Sequence, residues 1–493
     1  MILGTASHVG KSIITTGICR ILAEQGYSVA PFKAQNMSLN SWITSDGAEI
    51  GISQAVQAHA AGVAPVAEMN PILLKPKGDR TSQVIVLGRI HADKSAGDYY
   101  ETVHSMMEIV EESYNRLSQD YEFIIVEGAG GAAEINLYDR DIVNIGFARR
   151  FKPSIILVGD IERGGVFASL YGTIQLLPED IRLLINGIII NKFRGDPTLL
   201  TPGIEELEEL TGIPVFGVLP YTRLSIPSED SVSIGDKNLW DHSVTIAVIR
   251  LAHISNFTDF EPLEEHASVR YVEPDQPLDN VDAIIIPGTK NTIDDLLEIQ
   301  QHGMDREIKR CAKAGIPIIG ICGGYQMLTR TITDRAIEGT TKTHTTLQGL
   351  GLLNAETRFE EYHKYTEQVT KTVTAGGPIL GRLKGCRVRG YEIHMGTTSH
   401  IEEPAFGDEG CIDKSGLVIG TYLHGLFENR EIANALLRYL YEKKNLSYTP
   451  ITKKEDPYKN LTDMLYENLA MEQIYDLLEI EDTGLSKMHY HED

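Results

Sequence analysis

The chain has 493 residues with a formal net charge of −24; this length suggests two to four domains, and the charge argues against a nucleic-acid partner, because affinity for phosphate backbones comes from clustered cations. Hydrophobic residues make up 42% of the chain, yet the apolar runs have strand length, so no membrane span and no signal peptide are predicted. Five cysteines are sparse, which indicates a reducing cytoplasm rather than a disulfide scaffold.

The first half of the chain alternates apolar runs of strand length with helical patterns. Continuous runs rich in β-branched residues are typical of buried parallel strands, and repeated strand–helix units predict a doubly wound α/β sheet. The predicted strands are 28–32, 123–126, 154–158, 187–190 and 214–218. The predicted helices are 12–25, 49–61 and 99–117.

A second α/β pattern follows a stretch of low periodicity that is rich in Ser and Asp. Its predicted strands are 244–249, 283–287, 317–321 and 417–422. We therefore expect a synthetase domain over 1–225, a linker over 226–243 and a second α/β domain over 244–444. Residues 445–493 are expected to form a charged tail, helical in part near 461–478.

A variant phosphate-binding loop lies at the start of the chain. Residues 4–12 read GTASHVGKS and lead into a helix. Gly4 and Gly10 allow backbone N–H groups to face phosphate oxygens, and the helix N-terminus adds partial positive charge. Lys11 is expected to reach the β- and γ-phosphates, and the Ser12 hydroxyl to bind Mg²⁺. Five residues separate the two glycines, where the common pattern has four.

Three acidic residues are candidates to share the metal with Ser12. Glu127 follows the predicted strand 123–126 and precedes three glycines among the next four residues, at the strand end where ligands bind in open α/β sheets. Asp46 and Glu49 lie in a polar loop, where Glu49 would equally serve the first turn of a helix. The predicted metal ligands are therefore Ser12, Asp46 and Glu127.

A nucleophile is predicted in the second half of the chain. Residues 317–328 read PIIGICGGYQML, a strand, a sharp turn and a helix. Such a turn exposes Cys322 at the top of a sheet, and the helix N-terminus lowers a thiol pKa. The other four cysteines are interpreted as buried small residues.

A thiol nucleophile needs a base. His424 lies just past an apolar strand in the same half of the chain, and His394 is the competing candidate. The backbone of Gly288, after another strand, and that of Gly323 are expected to form an oxyanion hole for an acyl-enzyme.

Taken together, these motifs resemble the cobyric acid synthase family of glutamine-dependent amidotransferases in corrinoid synthesis. The likeness covers about residues 2–440 and rests on three features. These are residues 4–12 with PFKAQNMSLNS at 31–41, VEGAGG at 126–131 with DRDIVN at 139–144, and GICGGYQ at 320–326 with YLHGLF at 422–427. The phosphate loop alone also occurs in dethiobiotin synthetase-like enzymes, and the Cys turn in all triad-type glutaminase domains.

The resemblance implies a dethiobiotin synthetase-like P-loop domain followed by a class I, triad-type glutamine amidotransferase domain. ATP and Mg²⁺ would be used to phosphorylate side-chain carboxylates of a corrinoid, and glutamine would be hydrolysed at Cys322 with His424. In the family, four carboxylates of adenosylcobyrinic acid a,c-diamide are amidated. The nucleotide site would consist of Gly4, Thr5, Gly10, Lys11, Ser12 and Asn191, and the substrate site of Lys33, Gln35, Asn36, Asp139 and Asp141.

Two further expectations concern charge and orientation. Local cations would hold an acidic substrate on an acidic protein, and the candidates are Lys75, Lys77, Arg80, Arg89 and Arg140. Leu426 stands two residues after the His, where many glutaminases carry a Glu, so we expect a Cys–His dyad whose His is oriented by other groups.

Four alternatives remain at this stage. Cobyrinic acid a,c-diamide synthase has the same two domain types, although the run 31–41 argues against it. An amidotransferase acting on cell-wall precursors is a second. A partitioning-type ATP switch would have no reason to carry Cys322 and His424, and a catalytically dead paralogue would not be expected to keep Lys11, Glu127 and Cys322.

Overall fold

Two parallel sheets, one in each half of the chain, organise the fold of this computed structural model. The structure describes residues 1–77, 81–95, 103–222, 224, 226–227, 242–338, 344–452 and 456–480. Most of the predicted linker therefore lies outside the described residues. No helix within these ranges is both long enough and apolar enough to cross a membrane.

The strands of the first half are β1 (Ile2–Gly4), β2 (Val29–Phe32), β3 (Gln35–Met37), β4 (Ser41–Ile43), β5 (Glu49–Gly51), β6 (Ile72–Pro76), β7 (Thr81–Val86), β8 (Arg89–Ser95), β9 (Phe123–Val126), β10 (Ile155–Asp160), β11 (Ile185–Phe193) and β12 (Val215–Pro220). The helices are α1 (Lys11–Glu24), α2 (Ile52–Ala60), α3 (Val103–Asp120), α4 (Ile145–Phe151), α5 (Val166–Leu176), α6 (Glu179–Arg182) and α7 (Thr201–Thr211). Short 3₁₀ turns span Ala67–Met69 and Pro197–Leu200.

The main sheet of the first half is parallel, as predicted. Strands β1, β10, β11 and β12 pair in that order, and β2 pairs with β9. The Gly128 N–H donates to the Ile2 carbonyl over 2.9 Å, and Ile2 also bridges Glu127, which joins the two groups of strands. Apolar clusters that include residues of α1 and of α5 are separate, so helices cover both faces and the doubly wound fold is confirmed.

A second sheet in this half was not predicted. It has the order β3-β6-β7-β8, and β4 pairs with β5 in an antiparallel hairpin beside it. The predicted helix 49–61 begins only at Ile52, because the chain at Glu49–Gly51 is a strand. The buried Glu49 carboxylate accepts hydrogen bonds from Ser41 and Lys75, and the Gly51 N–H donates to Asn70, so side chains hold this segment extended.

The strands of the second half are β13 (Thr245–Ile249), β14 (Ile254–Ser255), β15 (Ser268–Val272), β16 (Ala283–Ile286), β17 (Gly288–Thr289), β18 (Ile318–Ile321), β19 (Thr331–Arg335), β20 (His344–Gln348), β21 (Ala355–Phe359), β22 (Lys364–Thr372), β23 (Arg387–Met395), β24 (Thr397–His400), β25 (Cys411–Ile412), β26 (Val418–Thr421) and β27 (Leu423–His424). The helices are α8 (Glu261–Glu264), α9 (Thr292–His302), α10 (Met304–Lys313), α11 (Gly323–Leu328), α12 (Arg430–Lys443), α13 (Lys459–Asn468) and α14 (Met471–Leu477). Short 3₁₀ turns span Phe257–Phe260, Leu380–Leu383 and Leu426–Glu428.

The main sheet of the second half has the order β15-β13-β16-β18-β26-β25, with only β25 antiparallel. Every residue of β16, β18 and β26 is buried, which explains why continuous apolar runs located these strands correctly. Cys322 follows β18 directly, and His424 ends the short strand that follows β26. Both candidate catalytic residues therefore lie at the carboxyl edge of this sheet.

The C-terminal segment packs on the first half of the chain. Helix α13 contributes Leu461 and Leu465 to the same apolar cluster as Ile14 and Ile18 of α1. A Cβ on Gly17 would lie 2.2 Å from Leu465 Cδ1, so glycine permits this close approach of the two helices. The segment predicted as a charged tail thus supplies part of a core.

We expect Leu465→Ala to lower the free energy of unfolding by about 2–5 kcal/mol, because it leaves a cavity between α1 and α13. Leu465 is 0% exposed, whereas Leu446, in the same C-terminal segment, is 41% exposed. Leu446→Ala is therefore the matched control. Thermal denaturation of both variants measures the effect, and equal melting temperatures would show that α13 does not support the N-terminal core.

Candidate active sites

The phosphate loop is closed around its own lysine. Lys11 Nζ donates to the carbonyl of Ala6 at 3.0 Å and to that of Gly130 at 2.8 Å, the second from the glycine-rich loop after β9. Gly10 has a φ of 107°, and a Cβ there would lie 2.0 Å from Asn191 Nδ2. Asn191 itself donates to the Val9 carbonyl at 2.8 Å, so it supports the loop from the end of β11. Thr5 is tied to the sheet by its N–H, which donates to Val158.

Glu127 is the centre of a buried polar cluster beside this loop. Its Oε1 accepts from Ser12 Oγ at 2.8 Å and from Lys33 Nζ at 2.9 Å. Its Oε2 accepts from Gln57 Nε2 at 2.6 Å. The carboxylate is 0% exposed, so these donors compensate the cost of burying its charge. The structure thus brings together Ser12, Glu127 and Lys33, which the sequence had placed in the metal and substrate sites.

Asp46 does not join this cluster. It lies in the turn of the β4–β5 hairpin, where its carboxylate accepts a hydrogen bond from Thr44. That hydrogen bond lowers the pKa of Asp46, against the opposing effect of burial. Arg89, one of the predicted substrate cations, donates to the carbonyls of Asp46 and Gly47 in the same turn.

The other predicted substrate residues have local structural contacts. Gln35 is half-buried in β3, and Asn36 is buried with its amide 3.1 Å from Gln54 Oε1. Asp141 accepts hydrogen bonds from the backbone N–H groups at positions 143, 144 and 145, at the start of α4. Asp139, in the loop before it, is exposed.

The remaining predicted cations are dispersed. Lys75, proposed to hold the acidic substrate, is buried and ion-paired with Glu49 over 2.7 Å. Lys77 lies over the Tyr362 ring, 5.2 Å from its centroid, and Arg140 is exposed. Arg80 lies outside the described residues.

Cys322 occupies a strained turn between β18 and α11. Its φ of 51° and ψ of −109° are unusual for a residue other than glycine. Space around the turn is tight, since a Cβ on Gly324 would lie 2.0 Å from the Ile286 carbonyl. Strain of this kind at a nucleophile is typical of a sharp strand-to-helix turn that presents the side chain to a substrate. The thiol lies 3.3 Å from the Ile393 carbonyl.

His424 is oriented by Asp259, which sequence reasoning missed. His424 Nδ1 lies 2.6 Å from Asp259 Oδ2, and the other oxygen, Oδ1, accepts from the Gly425 N–H at 2.9 Å. Burial disfavours the charged ring, but the Asp259 charge and the hydrogen bonds to Asp259 and Cys322 outweigh it and raise the pKa of His424 to about 10. Asp259 lies in a 3₁₀ turn 165 residues before His424, and no motif marks it.

The competing histidine and the predicted oxyanion glycines also lie near the Cys322–His424 pair. His394 stacks on Tyr422 with ring centroids 3.8 Å apart, and its Nδ1 lies 3.1 Å from the Gly396 carbonyl. A Cβ on Gly288 would lie 3.0 Å from the His424 ring. Gly323 follows the nucleophile as the first residue of α11. The cysteine, the histidine and the aspartate thus form a triad. His424 has a carboxylate oxygen at hydrogen-bond distance, as a general base requires, whereas the Glu392 carboxylate lies 3.8 Å from His394 Nε2.

The two candidate sites are connected through the run 31–41. Lys33 lies at the Glu127 cluster, whereas Asn40 Oδ1 accepts from the Phe257 N–H at 3.1 Å, two residues from Asp259. The Ser41 carbonyl accepts from Asn256 at 2.9 Å and from the Tyr391 hydroxyl at 3.1 Å. Tyr391 in turn stacks on His424. A few residues of extended chain therefore link the phosphate loop to the triad.

Family models match both halves of the chain. One described as the CobQ/CobB/MinD/ParA nucleotide binding domain matches residues 1–232, and one described as the CobB/CobQ-like glutamine amidotransferase domain matches residues 245–432. The protein is thus an enzyme of the glutamine amidotransferase class with an N-terminal nucleotide-binding domain. This excludes the partitioning-type switch.

Relatives define the family more closely. A protein of Methanococcoides burtonii named probable cobyric acid synthase is 61% identical over 485 residues, 98% of this chain and 97% of that protein. One of Methanosarcina barkeri with the same name is 59% identical, covering 97% of this chain and 99% of that protein. The chain therefore belongs to the cobyric acid synthase family, which confirms the resemblance. Among solved structures, PurLQS from Thermotoga maritima aligns at 19% identity with a TM-score of 0.32, over 40% of this chain and 99% of that one.

We expect Asp259→Asn to lower the rate of glutamine hydrolysis by on the order of 10²-fold or more, because the amide neither holds the imidazole in the required tautomer nor stabilises the imidazolium that forms on proton transfer. Asp408→Asn, on an exposed carboxylate, is the control.

The His424–Asp259 ion pair should also contribute to the folding stability of the wild type. This contribution is fully present below the ordinary His pKa of about 6.5, and it is lost as the pH rises through about 10. The difference in melting temperature between wild type and variant should narrow over that range. An unchanged hydrolysis rate would remove Asp259 from the triad.

Proposed function

We propose that the protein amidates the b, d, e and g side-chain carboxylates of adenosylcobyrinic acid a,c-diamide, using ATP and glutamine, to give adenosylcobyric acid. The observation that carries the proposal is the pairing, in one chain of this family, of a phosphate loop next to Glu127 with a Cys322–His424–Asp259 triad. The first suits activation of a carboxylate, and the second suits release of ammonia from glutamine.

The N-terminal site would activate the substrate. A carboxylate is a poor electrophile, so the γ-phosphoryl group of ATP is transferred to one of its oxygens, giving an acyl phosphate and ADP. Lys11, buried in the loop, would balance charge on the transferring group. Gly4, Thr5, Gly10 and Asn191 would shape the nucleotide site, and Lys33, Gln35, Asn36, Asp139 and Asp141 remain the proposed substrate residues.

Mg²⁺ fits the oxygen donors beside the loop. The Ser12 hydroxyl and the Glu127 carboxylate are hard ligands 2.8 Å apart, the donor type that Mg²⁺ prefers. Mg²⁺ commonly takes one or two carboxylates together with substrate phosphates. Among the described residues there is no group of three or more His, Cys, Asp or Glu suited to a metal. We propose Ser12 and Glu127 as its ligands; the position of Asp46 in the hairpin gives no support for its inclusion. When bound, the ion would neutralise phosphate charge.

The C-terminal site would supply ammonia. The Cys322 thiolate attacks the glutamine amide carbon, Gly288 and Gly323 N–H groups stabilise the oxyanion, and His424 gives a proton to the leaving ammonia. Water, deprotonated by His424, then cleaves the thioester to glutamate and the free thiol. The ammonia displaces phosphate from the acyl phosphate and forms the amide.

The organisation of the chain is also part of the proposal. Residues 1–225 would form the synthetase domain and 244–444 the amidotransferase domain, joined by 226–243. The segment 445–493 would act with the synthetase domain, since α13 packs on α1. All five cysteines are free thiols, which supports a cytoplasmic location.

The mass of the corrinoid product tests the substrate assignment. Incubation with adenosylcobyrinic acid a,c-diamide, ATP, Mg²⁺ and glutamine should give a product four mass units lighter, because each acid-to-amide conversion removes one unit. Conversion of cobyrinic acid itself to the a,c-diamide, with no reaction of the diamide, would contradict the proposal and favour the related diamide synthase activity.

Cys322→Ala should abolish amidation from glutamine and leave amidation from added ammonium salts near the wild-type rate, because the thiol only produces ammonia. Cys411→Ala, on another buried cysteine, is the matched control and should keep both activities. Product formation with each nitrogen source measures the effect. Glutamine use at the wild-type rate by the Cys322 variant would disprove the nucleophile assignment.

Ser12→Ala should raise the Mg²⁺ concentration needed for half-maximal amidation from ammonia by on the order of tenfold, because one oxygen ligand is lost. Ser169→Ala, on the exposed face of α5, is the control. A Mg²⁺ titration with saturating ATP gives the comparison. If Ser12 only stabilises the loop, the melting temperature will fall while the titration curve stays in place.

A further inference from the structure

The cavity that holds the nucleophile also contains charged groups that the proposed chemistry does not use. Besides Cys322 and His424, it is lined by Lys75, Lys290, Glu338 and Lys364. These side chains come from both halves of the chain. Buried charges are costly unless they are paired, so their pairing indicates which of them are available to a ligand.

Two of the three lysines are already paired. The buried Glu49 carboxylate of the N-terminal half accepts from Lys75 at 2.7 Å through one oxygen and from Lys364 through the other. This arrangement spans the two halves and leaves one positive charge in excess. It forms a fixed electropositive wall of the cavity.

Within the part of the chain that the structure describes, the other two charged groups form no ion pair with each other or with a neighbour. Among the described residues, no carboxylate oxygen lies within 4 Å of Lys290 Nζ, whose acceptor is the neutral Gln83 Oε1 at 2.9 Å. Glu338 is 8% exposed, and its Oε1 accepts the backbone N–H of Thr292 at 3.2 Å. A cation and an anion thus face one cavity beside the nucleophile, and each lacks a charged partner in the described structure.

The protonation equilibria of these groups agree with the geometry. Burial, together with the charges of Lys364 and Lys75, lowers the pKa of Lys290 to about 7. Burial also raises the pKa of Glu338. Both shifts oppose the charged form, because burial outweighs the attraction between these two groups, which make no ion-pair contact with each other.

We infer that Lys290 and Glu338 form the site for the amino-acid head of glutamine, with the α-carboxylate on Lys290 and the α-ammonium on Glu338. This inference rests on the proposed glutaminase function. An L-amino acid carries the two charges that these residues lack, and both residues line the same cavity as Cys322. The Lys75–Glu49–Lys364 wall adds to the field that holds the carboxylate.

The backbone around the site supports this arrangement. Lys290 is two residues after Gly288, so the residue proposed to hold the α-carboxylate and the proposed oxyanion donor belong to one loop. Its N–H donates to the His253 carbonyl at 3.0 Å, which fixes the loop. Gln83, on β7 of the N-terminal half, holds the Lys290 side chain. The selectivity of the amidotransferase site therefore depends on a residue of the other domain.

The experiment compares three amides on the full-length protein. L-glutamine carries both head groups, γ-aminobutyramide lacks the α-carboxylate, and glutaramate lacks the α-ammonium. kcat/KM for ammonia release is measured for each amide with wild type, Lys290→Met and Glu338→Gln. Lys414→Met and Glu403→Gln, on exposed residues, are the matched controls, and amidation from ammonium salts reports that each variant is folded.

Wild type should prefer glutamine over either analogue by on the order of 10- to 100-fold, the effect of one charge-assisted hydrogen bond. Lys290→Met should lose the preference for glutamine over γ-aminobutyramide and keep the preference for glutamine over glutaramate. Glu338→Gln should keep the first preference and lose the second. Lys290→Arg should recover part of the first preference. A merely structural role would lower all three rates together and leave the preferences unchanged.

Three outcomes would overturn the inference. They are a wild type that does not discriminate against either analogue, a Lys290→Met variant that keeps its preference for the α-carboxylate, and a Glu338→Gln variant that keeps its preference for the α-ammonium. The failure of the proposed function is distinguishable, because a wild type that releases no ammonia from glutamine contradicts the glutaminase itself.

Discussion

The arrangement of the two domains depends on one buried group of ion pairs. In it, the Glu49 carboxylate lies between Lys75 of its own half of the chain and Lys364 of the other half. A charge left buried without its partner would cost several kcal/mol. Separation of the domains would break the Glu49–Lys364 pair, so it avoids this cost only if Glu49, Lys75 and Lys364 all become exposed to water. Ser41 donates to the same carboxylate, and its carbonyl binds Asn256 and Tyr391 near the triad. The interface therefore combines these directional polar contacts with a small apolar cluster of Ile43, Tyr391 and Ile393.

The same principle organises the nucleotide end of the molecule. Glu127 accepts from Ser12, Lys33 and Gln57, which belong to α1, to the run 31–41 and to α2. Helix α2 begins directly after β5, the strand that carries Glu49. The buried carboxylates of Glu127 and Glu49 thus lie on either side of the short segment formed by β5 and α2. The Glu127 carboxylate faces the phosphate loop, and the Glu49 carboxylate faces the amidotransferase cavity. Three cations with buried side chains, Lys33, Lys75 and Lys364, gather around these two carboxylates.

The parts of the fold that sequence could predict are those with local signals. Continuous apolar runs located the buried parallel strands, and the Gly-Lys-Ser and Gly-Ile-Cys-Gly-Gly turns located a helix start and a candidate nucleophile. The β3–β8 region was missed because its strands are short or half-polar, and Glu49–Gly51 is held extended by side-chain contacts with distant residues. Asp259 was missed for a related reason: its role depends on a contact across 165 residues, and a single Asp in a turn carries no spacing signal.

The position of α13 and α14 has a consequence for how the protein is made. Their side chains complete the core around α1, yet α1 leaves the ribosome more than four hundred residues earlier. Domains usually fold as they are synthesised, N-terminal first. Here the amidotransferase half has its whole sheet and core between residues 244 and 440, so it can fold on the nascent chain while the nucleotide-binding half still lacks its last two helices. The nucleotide-binding half would then mature only once α13 and α14 have been synthesised, beside an amidotransferase half that is already folded.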